Sequence, residues 1–232
     1  GAYFKNTTIS NMLSEIEIGD TTGQIGTQSG VGIFIENTTV LNPIITNVVT
    51  GNKAVGNYFG ANSGNITYNG NLSVGENTTG IYKNGGILTR DPSKSTIFSG
   101  VNNASSLGYY LENSTLDFSS NALNANTLKM NNGIAFLLKG AGAKVTINGV
   151  NITNEDLNKL GLDPKVERFV YSDKEEIVTE DITLDELARY YGYHTIDGRL
   201  EINGNIFTSN NILTTYGVLA QGRYSTGNEE VL

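Results

Sequence analysis

Short apolar runs alternate with short polar runs along this chain, and one such unit recurs. Residues 32–40 read GIFIENTTV, and close copies are GAYFKNTTI at 1–9, GIYKNGGIL at 80–88 and GYYLENSTL at 108–116. Helical periodicity is missing from these units, whereas residues that suit pleated strands, such as Ile, Val, Thr, Tyr and Phe, are frequent in them. The pattern predicts one unit of short strands and turns that is used several times.

The spacing of the units indicates how they assemble. The glycines that open them are 24 to 31 residues apart, at Gly1, Gly32, Gly56, Gly80, Gly108 and Gly133. A period near 25 is typical of solenoids, and such a unit holds about three strands of ~5–6 residues. Because one unit cannot bury its own apolar face, units must stack, with each strand parallel to its counterpart one coil later. The sequence therefore predicts an all-β fold, a right-handed parallel β-helix with about 24–28 residues per coil and roughly seven coils.

Stacking turns each position of the unit into a row along the axis, and parity assigns the rows to faces. Positions one and three after the glycine are mostly apolar, which predicts two core rows, although Asn57 and Lys83 break the rule. Counting from Gly133 places Ile134 in the first of these rows and Phe136 in the second. The asparagines at position four or five tolerate left-handed backbone, and their amides can bond along the axis, so we expect them at corners. These corner residues are Asn6, Asn37, Asn84 and Asn113.

Aromatic residues occupy position two, on the parity that also carries Lys5, Glu36 and Glu112. We therefore expect the rings to face outward, where each stacked pair stabilises the strand face by ~0.5–1.5 kcal/mol. Contiguous exposed rings also mark sugar-stacking or docking surfaces, so a binding function stays open beside the structural one, which the pattern favours. This aromatic ladder consists of Tyr3, Phe34, Tyr58, Tyr82 and Tyr110.

Residues 151–197 interrupt the repeat. They contain 12 of the 23 acidic residues of the chain, and repeat patterning resumes after them. This change predicts an insertion that projects sideways from a continuing rod. The chain therefore divides into β-helix coils at 1–150, a charged insertion at 151–197 and further coils at 198–232.

Two short helices are predicted within the insertion. The first is capped by Thr153 or the next residue, has acids in its first turn and ends at Gly161. The second begins at Thr183, which pairs with Glu186 as a capping box, and ends at Gly192. Loops and inserted elements on a rigid scaffold often carry binding residues, and shielding of a coil edge is the equally open alternative.

The net charge and the absence of cysteine argue against several classes of partner and of site. The net charge is −8 with a pI near 4.7, and no run is rich in lysine or arginine. The chain therefore lacks the counterion-release term that drives binding to nucleic acids and anionic membranes, and we expect neither as a partner. The absence of cysteine excludes disulfides and thiolate metal sites. Since no apolar run reaches membrane-spanning length and Gly1 is not followed by a leader, we expect an excised, soluble, monomeric piece.

Candidate catalytic groups are sparse. The single histidine, His194, has no nucleophile motif beside it, which favours a surface histidine. The acids and bases of the repeat region are scattered, at Arg90, Asp91, Lys94 and Asp117. Neither a metal-ligand cluster nor a dinucleotide fingerprint is present. We therefore expect no enzymatic activity, no metal and no cofactor, and a β-helical polysaccharide lyase or glycoside hydrolase is the alternative.

Eight Asn-X-Ser/Thr triplets have the form of glycosylation acceptors. In a chain whose turns are crowded with Asn and Thr, the same triplets arise from turn chemistry, so we interpret them as corners. They begin at Asn6, Asn37, Asn65, Asn71, Asn77, Asn103, Asn113 and Asn151.

The stretches GVGIFIENTTV, GNITYNGNLSVGENTTGIYKNGG and AKVTINGVNITN resemble the passenger domains of large bacterial autotransporters, particularly the Asn-rich, Cys-free adhesins of fusobacteria. The likeness covers about 1–150 and 198–232 and concerns the style of repeat, with no catalytic signature. It implies a rod secreted through an outer-membrane barrel and displayed on the bacterial surface or released from it. Such a rod attaches to a protein or glycan of host cells, or to other bacteria, and a purely structural stalk segment is a further alternative.

We place the predicted binding site in the insertion ahead of the ladder. A projecting helix can present aromatic and cationic residues of the types that anchor interfaces. These candidates are Arg189, Tyr190, Tyr191, Tyr193 and His194, followed by Tyr58, Tyr82 and Tyr110 of the ladder. The same helix could instead dock on the coils through an apolar stripe, which would bury part of this cluster.

Overall fold

The computed structural model describes residues 2–9, 31–40, 55–68, 72–74, 79–91, 96–98, 106–119, 127–130, 133–162, 166–179, 182–184, 191–208 and 216–221. Short strands account for most of these residues, together with one helix. In chain order the elements are β1 (Ala2–Lys5), β2 (Thr8–Ile9), β3 (Val31–Glu36), β4 (Thr39–Val40), β5 (Val55–Phe59), β6 (Ile66–Tyr68), β7 (Leu72–Val74), β8 (Thr79–Asn84), β9 (Ile87–Arg90), β10 (Thr96–Phe98), β11 (Leu107–Glu112), β12 (Thr115–Phe118), β13 (Leu128–Lys129), β14 (Ile134–Lys139), β15 (Lys144–Ile147), β16 (Val150–Asn151), α1 (Asn154–Lys159), β17 (Glu167–Ser172), β18 (Glu175–Val178), β19 (Ile182–Leu184), β20 (Tyr191–Ile196), β21 (Arg199–Ile202), β22 (Ile206–Thr208) and β23 (Tyr216–Gln221).

One long parallel sheet runs the length of the described chain. Its nine strands are ordered β1-β3-β5-β8-β11-β14-β17-β20-β23, and every neighbouring pair is parallel. Each strand therefore pairs with its counterpart one pass later, which confirms the predicted parallel β-solenoid. At ~4.8 Å between strands, the sheet extends about 38 Å along the axis.

The other faces are built in the same way from shorter sheets. The largest is ordered β6-β9-β12-β15-β16, and β7-β10-β13 form a third sheet. The pairs β2-β4, β18-β21 and β19-β22 continue the pattern near the two ends. Among the described side chains, those that point inward from the long sheet and from the second sheet share one hydrophobic core.

The two predicted core rows lie inside. The first contains Ile33, Asn57, Ile81, Tyr109, Phe136 and Phe169, and the second contains Ile35, Phe59, Lys83, Leu111, Leu138 and Tyr171, all of them buried. The two polar exceptions, Asn57 and Lys83, stay in the core, because each finds oxygen partners there.

One alignment in the sequence prediction is wrong. Leu107 pairs with Ile134 and Tyr109 with Phe136, so Phe136 belongs to the first core row, and Ile134 lies outside both core rows. The residue equivalent to Gly108 is therefore Ala135, and both are buried. A Cβ on Gly108 would lie 2.9 Å from the Ala135 carbonyl oxygen, so the neighbouring strands pack closely at this position. The position therefore requires a small residue, which is either glycine or alanine. Gly133 instead occupies a turn with φ +98°.

The corner row has left-handed backbone, as predicted for asparagine. Asn6, Asn37 and Asn113 have φ between 46° and 55°. The amide of Asn62 donates to Asn37 Oδ1 at 2.9 Å, which is the expected bond along the axis. Asn84 is the exception, because it ends β8 and Gly85, with φ +67°, makes the corner instead.

The charged segment differs in part from its prediction. The first helix is confirmed as α1: Thr153 Oγ1 accepts from the Asp156 N–H, and Asp156 Oδ2 accepts from the Thr153 N–H. The second predicted helix is not formed at its ends, because Thr183 lies in β19 and Gly192 in β20, while 185–190 are outside the described residues. Parallel pairing thus overrides the local capping pattern.

Strands β17 and β20 of the same segment belong to the long sheet. These two additional passes are the reason that the sheet exceeds the predicted seven coils. The long sheet therefore runs through 151–197, where the sequence predicts a projection from the rod.

The second sheet is interrupted where this segment begins. After β15 the chain turns through Asn148 and Gly149, both with positive φ, and returns as the antiparallel strand β16. It then forms α1, whose Leu157 side chain is buried in the core. Strand β18 pairs with β21 and not with β15. The stacking of this face is thus broken between β15 and β18, while the long sheet continues beside the break.

Candidate binding face of the long sheet

The outer face of the long sheet carries the aromatic ladder. Neighbouring rings from Tyr3 to Tyr82 have centroids 4.7 Å apart and interplanar angles of 6° to 13°. Parallel register holds the rings at the strand spacing, which is why they stack face to face. At the last step the geometry changes, because Tyr82 and Tyr110 meet edge to face at 5.0 Å and 87°.

Two hydrogen bonds hold the Tyr82 side chain in place where the ring geometry changes. Its hydroxyl donates to Glu112 Oε2 at 2.7 Å and accepts from the Asn84 amide at 3.3 Å. Burial, helped by the bond to Glu112, raises the pKa of Tyr82 above its ordinary value. The same bond is the main cause that lowers the pKa of the Glu112 carboxyl, with help from the Lys139 ammonium 3.2 Å away. Tyr82 is therefore a neutral, fixed donor on this face.

A second row, which the sequence pattern did not predict, lies at the start of the strands of the long sheet. Its members precede the glycine or alanine that begins each unit and are at least partly exposed, and we name them the flanking row. They are Val31, Val55, Thr79, Leu107 and Ile134. The signal was present, since each unit has a β-branched or apolar residue there. These residues lie two positions before the first core row and share its parity, so the apolar character of the outer face comes from the ladder rings on five consecutive strands, β1, β3, β5, β8 and β11.

Three of the remaining predicted site residues lie on a strand and not on the predicted helix. Tyr191, Tyr193 and His194 belong to β20, and Arg189 and Tyr190 are outside the described residues. By register, His194 pairs with Val170 and Leu219, so it occupies the row that begins with the ladder and continues through Leu137. Tyr193 pairs with Phe169 and is therefore in the first core row by register. The structure thus places His194 and the ladder in one row of one sheet.

Two cations of the repeat region, Arg90 and Lys83, are buried. Arg90 is fully buried: its Nε donates to the Tyr109 hydroxyl at 3.2 Å, its Nη1 to the Tyr68 carbonyl at 3.1 Å, and its guanidinium lies 4.6 Å from the centre of the Tyr68 ring. Lys83 Nζ donates to Ser63 Oγ at 3.0 Å and to the carbonyl of Gly85. The Arg90 side chain therefore stabilises the core and the Lys83 side chain the corner, and neither faces solvent.

The other acid–base candidates are also engaged or outside the described residues. Asp117 Oδ1 accepts from the Thr146 hydroxyl and from the Gly149 N–H, which holds the β15–β16 turn. Asp91 follows β9, and Lys94 is outside the described residues. Within the described ranges, no three carboxylate, imidazole or thiol groups come together as a metal site requires. None of the helical structure described there has the length and hydropathy of a membrane span.

Three of the eight Asn-X-Ser/Thr triplets begin at left-handed corners, namely those of Asn6, Asn37 and Asn113. Asn65 Oδ1 accepts from the Ile87 N–H at 3.0 Å, and Asn151 lies in β16. The triplets at 71, 77 and 103 begin outside the described residues.

Comparison with known proteins does not assign the chain to a family. No family model matches the chain, and neither characterised proteins nor solved structures give a match.

Proposed function

We propose that this chain is a segment of an autotransporter adhesin displayed on a bacterial surface, and that the outer face of the long sheet makes the attachment. The observation that carries the proposal is the row of aromatic rings that the ladder forms on this face over five consecutive strands. Parallel sheets are normally covered on both faces, and extended apolar surface on the outside marks an interaction site. The resemblance of the repeats to autotransporter passengers gives the cellular setting.

The geometry of the rings favours a protein partner over a glycan. Phe34 is covered on one face by Tyr3 and on the other by Tyr58, and Tyr58 in turn lies between Phe34 and Tyr82. A sugar that stacks on an aromatic residue needs a free ring face, and these inner rings present only their edges. Ring edges suit the apolar centre of a protein interface, where aromatic residues are enriched.

Charged residues border the ladder on the side of the corners. Lys5 Nζ lies 3.5 Å from Glu36 Oε2 at one end of the ladder, and Glu112 pairs with Lys139 at the other. A partly exposed charged border around an apolar centre is the usual anatomy of a protein interface. We expect these pairs to influence the rate and salt dependence of attachment more than its final affinity.

The test uses the fluorescently labelled chain and cultured epithelial cells. Replacing the two central rings in Phe34→Thr/Tyr58→Thr should weaken cell binding by at least about tenfold, because central aromatic anchors dominate interfaces. The matched control is Ile87→Thr/Ile177→Thr, which removes two exposed apolar residues outside the long sheet and should leave binding unchanged. Thermal unfolding of both variants separates lost stability from lost contact.

The cells themselves distinguish the partner classes. Trypsin treatment of the cells should abolish binding, and enzymatic removal of surface glycans should not. Equal binding by the ladder variant, the control and the unaltered chain would refute the proposed face. Loss of binding after glycan removal alone would replace the protein partner by a glycan.

A further inference from the structure

The break in the second sheet creates a concave site away from the long sheet's outer face. Strand β16 lies beside β15, in the position that the strand of the next coil would take, so β18 does not pair with β15. The space between β15 and β18 is therefore not closed by strand pairing. The result is a half-open cavity of about 160 Å³. That volume is smaller than the ~300 Å³ at which pockets for drug-sized ligands begin, so it suits a single small ring.

The cavity has an apolar floor and a polar mouth. Leu138, Val145 and Phe169 line it from the core and are buried. Lys144 and Asn151 line it from the surface and are exposed. A ligand here would place carbon–hydrogen groups against the floor and polar groups at the mouth.

The polar atoms around the cavity have unused bonding capacity. Lys174 is 8% exposed, and its ammonium donates to the Ala141 carbonyl at 3.4 Å and pairs with Glu176 Oε2 at 3.0 Å. An ammonium has three donors, so one remains without a partner among the described residues. The side chains of Lys144 and Asn151 make no hydrogen bond or ion pair with the described part of the chain. These groups comprise two ammonium ions, one carboxylate and one amide, with a net charge of +1.

We propose that this cavity binds a carboxylated monosaccharide, that is, a single sugar ring that carries a carboxylate. The carboxylate lies between the Lys144 and Lys174 ammonium groups, where charge-assisted hydrogen bonds are strongest. The ring hydroxyls donate to Glu176 and exchange hydrogen bonds with the Asn151 amide, which both donates and accepts. The carbon face of the ring packs on the apolar floor. This site goes beyond the proposed attachment through the ladder, because it shares no residue with that face.

The experiment titrates D-glucuronate into the intact chain and follows it by saturation-transfer NMR. We expect D-glucose, which lacks the carboxylate, and acetate, which lacks the ring, to bind at least about tenfold more weakly than D-glucuronate. The exposed variant Lys144→Gln should weaken glucuronate binding about tenfold without changing the melting temperature. The matched control Lys129→Gln replaces an exposed lysine on β13, outside the cavity, and should bind as the unaltered chain does.

Absence of glucuronate binding would overturn the proposal, as would equal binding by the Lys144→Gln variant. Equal affinity for acetate would show a simple anion site and would also overturn the assignment to a sugar. The Phe34→Thr/Tyr58→Thr variant should retain glucuronate binding even where cell attachment is lost. That combination separates failure of the cavity from failure of the adhesive face.

Discussion

Residues 79–119 and 133–179 are built on the same long sheet but differ on the opposite side of the solenoid. In the first region, successive coils pair twice: β8 with β11 in the long sheet, and β9 with β12 in the second. In the second region, β14 still pairs with β17, but β15 turns back on itself and β18 pairs elsewhere. The coils therefore continue to stack through the long sheet even where the pairing in the second sheet is interrupted.

The difference separates two kinds of surface. Unbroken stacking produces rows, because each residue lies one strand spacing from its equivalent, and such rows give a flat, extended face. The break produces a concave cavity with diverse residues, because the hairpin and α1 occupy the place of a coil strand. A flat apolar face suits a large partner, and a small cavity suits a small ligand.

The largest expected effect concerns the ring that links the two regions. Phe136 is fully buried, with Tyr109 at 5.7 Å on one side and Phe169 at 5.5 Å on the other. Phe136→Ala should lower the free energy of unfolding by about 3–5 kcal/mol, since it leaves a cavity between coils. Urea denaturation measures the loss. The control Leu137→Ala, on the partly exposed outer row, should cost only about 1–2 kcal/mol, and equal losses would contradict this account of the core.

Gly140, at a stacked corner, and Gly149, in the β15–β16 hairpin, have the same φ of +79°, so replacing each by alanine compares the two sites. Gly149, in the hairpin, has open space where a Cβ would be, so Gly149→Ala should cost about 1–2 kcal/mol for the left-handed backbone alone. At Gly140 the new Cβ would collide with the Asn113 side-chain amide, and Gly140→Ala should cost about 1 kcal/mol more. Chemical denaturation of both variants gives the difference. Removing the amide in Asn113→Gly/Gly140→Ala should abolish the excess, and an excess that persists would refute the collision.

An effect no larger than that of Gly149→Ala is a pH dependence confined to the regular region. Burial lowers the pKa of Lys83 to about 8, whereas an unfolded lysine has a pKa near ~10.4. Between these values the unfolded chain binds more protons, so stability rises with pH. From pH 7.5 to 9.5 we expect a gain of about 1–2 kcal/mol that Lys83→Met does not show. Tyrosine ionisation, which begins toward pH 9.5, is common to both proteins, so the difference between their pH profiles reports Lys83 alone. Identical pH profiles would contradict the prediction.

The sequence determined the solenoid and the outward ladder because both depend on periodicity. Strand residues that recur near every 25 positions must stack, and stacking alone fixes that Tyr58 lies beside Tyr82. The corners were predictable for a similar reason, because Asn37 and Asn113 are among the few side chains that accept left-handed backbone. Local chemistry also specified α1 correctly, since Thr153 and Asp156 are near neighbours in the chain.

Only the tertiary structure decided the features that depend on which strand pairs with which. Ala135 replaces glycine at the close-packed position because any small residue fits there, so counting from Gly133 shifted the register. Thr183 and Gly192 entered strands because pairing along the sheet outweighs a local capping pattern. Lys83 and Arg90 lie inside because carbonyl and hydroxyl oxygens from other coils satisfy them, and those oxygens are brought near only by stacking. The cavity beside Lys174 has the same origin, since it exists only where the strand expected to cover β15 is paired elsewhere.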